Sequence, residues 1–369
     1  MLNTSGLIRF IRPMTDRHPR SLRILRRVDQ ELGLWHHSAA TVLPVVIQPQ
    51  PRQLTVAVTA RCNLRCLGCR YGRDFMQGHQ LSLEMVRELF EDAQKAGVNK
   101  IRIYGGEPLL HPDLPAMVEH ATRLGMQTYI TTNGTLLDRR IDDLYAAGLR
   151  IITLGFYGIG KDYNEYTQRK AHYEKLEASL DAVRGRYGEQ VELQLNFVLL
   201  RTTCSVNAVK EAWAFAERYH TYFHIDLASY SLPFFTQGPD QCLAFRPGDR
   251  LAVERVTQEL IRLKQEYPER FTSSMAFLRS IPDWLSLGPK MHVPCDAYDL
   301  IWVGADGTVQ LCDTYFRLGN LHQQRLRQIL FSAEHRRACR DAFHLQCPNC
   351  SCKANTRILK DCVSLQRYS

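Results

Sequence analysis

The chain has 369 residues, 45% of them apolar and 23% charged, enough to bury a large core and to form one large α/β domain with an appendage. Its formal net charge is +9, and it holds no run of 18 apolar residues, so no membrane span is expected. Its twelve cysteines fall in motif-like groups, behind a start (MLNTSGLIRFIRP) with too short an apolar core for a secretory signal; this argues against a disulfide framework and for metal ligation in a reducing, cytoplasmic compartment.

Seven arginines fall among the first 27 residues. They suit either attraction to an anionic partner such as nucleic acid or a solvated basic helix face. The second is the commoner use of such a run, and no nucleic-acid partner is expected. Leu22, Leu25, Val28 and Leu32 recur at helical spacing and predict an amphipathic helix over residues 20–32, ended by Gly33. Val45 to Ile47 reads as a short strand, and Pro49 and Pro51 close this N-terminal extension, residues 1–50.

From 51 to 230 strands and helices alternate. The predicted strands are Leu54–Thr59, Lys100–Tyr104, Gln127–Thr131, Arg150–Phe156, Val191–Leu199 and Phe223–Ala228. Helical patterns between them include Leu83–Ala96, Leu114–Leu124, Ile141–Ala147, Tyr173–Tyr187 and Val206–Tyr219. Gly97, Gly125 and Gly148 each follow a helix, where a left-handed cap favours glycine. Repeated βα units imply a parallel sheet with helical crossovers, whose active site belongs at the C-terminal ends of the strands.

Three of those strand ends carry recognisable chemistry. After the first come Cys62, Cys66 and Cys69. Three thiolates complete neither a zinc site nor an ordinary iron–sulfur cluster. The triplet therefore leaves one metal position open to a small molecule, or a distant Cys or His completes it as a zinc knuckle. The second strand runs into Tyr104-Gly105-Gly106-Glu107-Pro108, where adjacent glycines permit close backbone approach and Glu107 offers an acceptor at the same mouth. The third runs into Thr131-Thr132-Asn133-Gly134, by itself an ordinary Asn-Gly turn.

Residues 231–290 read as a helical connector punctuated by Pro233, Gly238, Pro239, Pro247 and Gly248, with a helix from Leu251 to Lys264. Phe234, Phe235 and Trp284 there either plug a core or line a substrate cavity. In the last segment, 291–369, Ile301–Val303 and Thr308–Leu311 flank Asp306-Gly307, a hairpin signal that brings Cys295 and Cys312 near its two ends. A helical pattern over Leu326 to Phe343 returns the chain to Cys347-Pro-Asn-Cys350-Ser-Cys352. Two separated cysteines plus a C-x2-C pair make a four-thiolate site for zinc or iron–sulfur. Cys204, Cys242 and Cys339 read as buried or incidental thiols.

Thr59, Arg61, Cys62, Asn63, Leu64, Cys66 and Cys69, followed in order by the Gly-Gly-Glu and Thr-Asn-Gly strand ends and the later cysteines, resemble the radical S-adenosylmethionine (SAM) superfamily over residues 52–355. The resemblance implies a partial (β/α)6 TIM-like barrel with a small C-terminal α+β cluster-binding domain of the SPASM/twitch type. It implies that Cys62, Cys66 and Cys69 hold a [4Fe-4S] cluster whose fourth iron is chelated by SAM. Gly105, Gly106, Glu107 and Pro108 would then hold the SAM amino group, Asn133 would line the pocket, and Arg169 would pair with the SAM carboxylate. Three positions depart from the pattern: Gly155 stands where many relatives carry a serine that contacts that carboxylate, Tyr157 replaces a common aspartate, and Gly68 replaces an aromatic residue that lies against adenine. Tyr71 is the available substitute for the last.

Cys295, Cys312, Cys347 and Cys350 resemble the twitch pattern for one auxiliary [4Fe-4S] cluster, with Cys352 an alternative to Cys350; Cys352 and Cys362 do not fit the longer two-cluster spacing. The activity so implied is reductive cleavage of SAM and hydrogen abstraction from a small polar metabolite of the sugar, aminocyclitol or nucleoside class. The auxiliary cluster would accept an electron, and a low-potential donor such as flavodoxin or ferredoxin would supply one. Two alternatives stand beside it: a maturase acting on a peptide or protein side chain, and a non-catalytic metal-cluster binding protein. No acid or base is assigned; Asp296 and Asp313 are noted because each directly follows a cluster cysteine.

Overall fold

The computed structural model describes residues 19–71, 73–227, 242–312 and 315–369. Of the features named above, residues 1–18, Ala228, Pro233, Phe234, Phe235, Gly238, Pro239 and Asp313 lie outside the described residues. Helix α1 (Pro19–Val42) is followed by six βα repeats and a C-terminal segment. The repeats are β1 (Gln53–Thr59), α2 (Leu83–Lys95), β2 (Lys100–Gly105), α3 (Leu114–Arg123), β3 (Gln127–Thr132), α4 (Leu137–Ala146), β4 (Ile151–Phe156), α5 (Gly160–Thr167), α6 (His172–Tyr187), β5 (Glu192–Leu199), α7 (Val206–Arg218) and β6 (Tyr222–Leu227). After them come α8 (Arg250–Glu266) and α9 (Met275–Leu287). The rest is β7 (Leu300–Val303), β8 (Thr308–Gln310), β9 (Arg317–Asn320), α10 (Leu326–Ile329), α11 (Ala333–Phe343), α12 (Ala354–Lys360) and α13 (Cys362–Tyr368).

The strands form one open sheet in the order β6-β5-β4-β3-β2-β1-β7-β8-β9. Strands β1 to β7 pair in parallel; β7, β8 and β9 form an antiparallel meander. The C-terminal segment thus shares the sheet of the βα repeats, with Val303 of β7 in register with Val56 of β1. Local chemistry explains the repeats. Ser82 and Ser205 cap α2 and α7 by accepting the Met85 and Ala208 N–H groups. Gly97, Gly125 and Gly148 take positive φ just after α2, α3 and α4. Every second strand side chain, such as Val56, Ile103, Ile130, Leu154, Leu195 and Ile225, is buried in the main hydrophobic core, each contributing about 1.5–3 kcal/mol.

Three sequence expectations change. Helix α1 runs through Gly33 to Val42 instead of ending there. An interior glycine costs only about 1 kcal/mol, and burial of His37 and Ala40 beyond it offsets that. Pro44–Val46 is a single 3-10 turn, closed by the Ile47 N–H on the Pro44 carbonyl, where a strand was expected. The helix expected over Leu326 to Phe343 is two helices, because Phe331 is left-handed (φ 60°) and Ser332 starts a new helix by accepting the His335 N–H.

Candidate functional site

The loop after β1 is fixed from two sides. The end of β2 lies directly on it: a Cβ on Gly105 would stand 2.3 Å from the Thr59 carbonyl oxygen, and one on Gly106 2.3 Å from that of Arg61. The Gly106 and Glu107 N–H groups donate to those same carbonyls at 2.8 and 2.7 Å. The two glycines are thus required first by the approach of β2 to the cysteine loop. From the other side, the Arg65 and Leu67 N–H groups donate to Thr167 and Tyr166 at the end of α5.

Cys62, Cys66 and Cys69 sit partly buried on this loop. Burial pushes the Cys62 thiol up to about 12, opposed by the Leu64 N–H and reinforced by Glu107 and Cys69. Burial also pushes Cys66 well above its ordinary value, helped by Cys69 and Cys62. Thiols so placed become thiolates only when a cation draws the charge. Gly68 has φ 77°, a conformation side chains rarely adopt, which explains why no aromatic residue precedes Cys69. Tyr71 instead packs edge-on against Phe75 and Tyr104, with centroids 5.0 and 6.0 Å away.

Asn133 and Arg169 converge on Asn63 in the same loop, and Glu107 holds the Asn133 backbone. The Asn133 side-chain amide donates to Asn63 Oδ1 (2.9 Å), and Arg169 Nε donates to the Asn63 carbonyl (3.1 Å). Glu107 is fully buried and accepts from Thr132 Oγ1 (2.6 Å), the Asn133 N–H (2.9 Å) and the Leu109 N–H (3.0 Å). Burial raises its carboxyl to about 7, against the pull of those donors. Pro108 opens the buried 3-10 turn that supplies the Leu109 donor. At the end of β4, Gly155 and the following Tyr157 fit each other: a Cβ on Gly155 would meet the Tyr157 hydroxyl at 2.7 Å, and the Tyr157 ring stacks on Tyr166 at 4.1 Å.

The later cysteines gather elsewhere. Cys295, Cys312, Cys347, Cys350 and Cys352 line one cavity with Lys353 and Arg357. The β7–β8 hairpin does this work: Gly307 (φ 78°) donates to Gly304 and closes the turn, so β8 returns toward Cys312. The Cys295 N–H donates to Phe343, and left-handed Asn349 (φ 55°) folds the C-x2-C loop. Burial pushes the Cys295 thiol up to about 12, opposed by the charge of Arg357. Asp296 is fully buried between Lys353 (3.3 Å) and Lys360 (2.7 Å). Burial works to raise its carboxyl, but the two lysines outweigh it and hold it well below the usual range, so Asp296 is a structural anion rather than a proton carrier. Cys339 is buried, and Cys242 is exposed. Among the described residues, no three His, Cys, Asp or Glu side chains converge closely enough to hold a single metal ion.

Sequence reasoning missed a third feature. Register places Thr55, Arg102, Tyr129, Thr153, Gln194, Asn196 and His224 on one face of the sheet, opposite the helix-packed face. Arg102 Nε donates to Thr131 Oγ1 (2.9 Å), and its guanidinium lies 5.0 Å from the Tyr104 ring centre. His224 Nδ1 lies 3.0 Å from Thr272 Oγ1; burial lowers its pKa, opposed by Asp226. Strands buried on both faces read as continuous apolar runs. The alternation in KIRIYG, ELQLNFVL and YFHIDL was the available signal.

Comparison with known proteins agrees with this geometry. Residues 56–202 match the radical SAM superfamily model, and residues 295–353 match the SPASM iron–sulfur cluster-binding domain. GTP 3′,8-cyclase of Chlorobaculum tepidum is 34% identical over 217 residues, 58% of this chain and 61% of that protein. Further curated relatives, probable GTP 3′,8-cyclases of two Methanothermobacter species, are matched over 48% of their length. Among solved structures, anSMEcpe with bound AdoMet superposes with a TM-score of 0.61 at 17% identity, covering 79% of this chain and 84% of that one. Streptococcus suis SuiB bound to precursor peptide SuiA gives 0.63 at 16% identity, covering 87% and 71%. These likenesses establish the fold as the partial barrel of radical SAM proteins.

Proposed function

The chain carries a radical SAM core followed by a SPASM domain, and from that premise we propose that it is a radical SAM oxidoreductase acting on a small polar metabolite of the sugar, aminocyclitol or nucleoside class. Cys62, Cys66 and Cys69 would hold a [4Fe-4S] cluster; three partly buried thiols on one pinned loop fit a group bound through three thiolates with one position open to SAM. When bound, this pair supplies a 5′-deoxyadenosyl radical that removes a substrate hydrogen. Gly105, Gly106, Glu107 and Pro108 shape the wall on which SAM rests, Asn133 orients the cysteine loop, and Arg169 offers its cation to the SAM carboxylate. Four of the five cavity thiols would hold one auxiliary [4Fe-4S] cluster, which would supply an acceptor for the electron left on the substrate. A flavodoxin- or ferredoxin-type donor in the cytoplasm completes the cycle.

The substrate class rests on one observation, the polar face of the sheet. Arg102, Gln194, Asn196 and His224 present hydrogen-bonding groups beneath the strand ends, suited to hydroxyl and phosphate groups more than to apolar side chains. The curated relatives named GTP 3′,8-cyclase accord with a small polar substrate. The test is anaerobic reconstitution followed by assay of 5′-deoxyadenosine with sugars, aminocyclitols, nucleosides and candidate peptides. Turnover coupled to a small polar compound is expected. Conversion of a peptide with none of the small compounds would replace this reading with that of a maturase. Absence of SAM cleavage from a fully reconstituted chain would leave only a cluster-binding protein.

A further inference from the structure

Helix α12 and its N-cap present three cations on one face, Lys353, Arg357 and Lys360, and they are not treated alike. Lys353 and Lys360 both pair with Asp296 and Asp299. Arg357 is fully buried, yet no carboxylate lies within ion-pairing distance of it among the described residues. Its guanidinium donates to the Cys350 carbonyl (2.6 Å), the Val293 carbonyl and Asn349 Oδ1 (3.2 Å), and lies 4.9 Å from the Trp284 ring centre. Its Nε has no partner, although it is buried. It lines the five-thiol cavity. A cation removed from water with neutral partners alone is expensive, and an anion nearby is the usual remedy. Among the described residues that line this cavity, the groups able to carry negative charge are the cysteine thiols.

We propose that Arg357 is the built-in counter-charge of the auxiliary cluster and sets its reduction potential. It is a positioning residue, four residues beyond the matched cluster-binding segment. Reduction adds one electron to an already negative cluster, so a fixed cation beside it favours the reduced form and raises the potential. The inference rests on reading the cavity as an iron–sulfur site, and not on the substrate class.

The experiment compares the full reconstituted chain with Arg357→Gln and Arg357→Lys, counting iron and following a potentiometric titration by electron paramagnetic resonance. The auxiliary wave is the one lost in Cys295→Ser. Arg357→Gln keeps a donor and loses the charge; its auxiliary wave is expected to fall by a tenfold or larger change in the reduction equilibrium, ~59 mV for one electron. Arg357→Lys is expected to stay near the parent, and the wave of the Cys62, Cys66 and Cys69 cluster is expected not to move. Loss of auxiliary iron from the Gln chain but not the Lys chain also supports the proposal. Equal shifts in both variants, loss of iron from both, no shift in either, or a single wave in the parent would overturn it. The titration needs no substrate, so it stands or falls apart from the assay above.

Discussion

Glu107 couples the two strand ends that frame the cysteine loop, and its protonation has a consequence for stability. Its carboxyl titrates near 7 in the folded chain against an ordinary 4.5, burial being the cause. Between those values the native state holds a proton that the unfolded chain releases, so stability falls as pH rises. The contribution is complete below pH 4.5 and lost as pH passes 7. Relative to Glu107→Gln, the parent should lose roughly 3 kcal/mol across this window, read by urea unfolding at a series of pH values. A parallel pH profile for the two chains would show that Glu107 is ionised in both states. One residue earlier the constraint is steric. A Cβ on Gly106 meets the Arg61 and Ala60 carbonyl oxygens at 2.3 and 2.7 Å, and neither is a flexible side-chain end. Gly106→Ala should therefore cost about 1–3 kcal/mol and displace the cysteine loop, with iron content falling alongside stability.

At the scale of elements, the buried His37 imidazole helps tie α1 to the C-terminal segment. His37 Nε2 lies 2.9 Å from the Tyr298 hydroxyl, and its ring packs edge-on against Phe343 at 5.2 Å. Burial lowers its pKa from 6.5 to about 4, with Lys360 adding to the effect and Asp296 opposing it. The unfolded chain therefore binds the proton first, and the anchoring is complete above pH 6.5 and lost as pH falls through 4. His37→Ala should cost roughly 2 kcal/mol or more and speed amide exchange in α1 while the β1–β6 strands keep their protection. Uniform acceleration throughout the chain would mean that α1 is integral to the core. This anchor was invisible in the sequence, because Tyr298 lies 261 residues away and nothing local marks His37 as buried. Strands β1 to β8 were legible to within a residue or so, because β-branched runs bounded by glycine need no distant partner, whereas β9 was not foreseen and the strand expected at Val45 to Ile47 is a turn. Legible too was the place of Glu107 and Asn133 at adjoining strand ends, which follows from the repeats and brings the Asn133 N–H onto the Glu107 carboxyl. The polar sheet face was harder to see, because it depends on the lateral register of strands that are distant in sequence.

Across the whole molecule, both thiol groups hang from one sheet. The loop bearing Cys62, Cys66 and Cys69 leaves β1, and the hairpin leading to Cys312 leaves β7, its hydrogen-bonded neighbour. Side chains also cross this seam: the Trp302 indole N–H donates to the Tyr104 hydroxyl, which lies 3.3 Å from that of Tyr71. The two metal sites should thus be chemically separable while sharing a scaffold. In the reconstituted parent, about eight irons per chain are expected, two four-iron clusters. Cys295→Ser with Cys312→Ser should leave about four and preserve SAM cleavage, since Cys62, Cys66 and Cys69 are untouched. Cys62→Ser should also leave about four, but abolish cleavage. If removing the C-terminal thiols also abolished cleavage, the shared β1–β7 seam would transmit the loss. Unfolding monitored at Trp302 would then report the same event, because its indole bridges the two halves. If instead the parent held only about four irons, all lost with Cys62, the C-terminal thiols would hold zinc or nothing, and the auxiliary electron acceptor would fall while the radical SAM core stood.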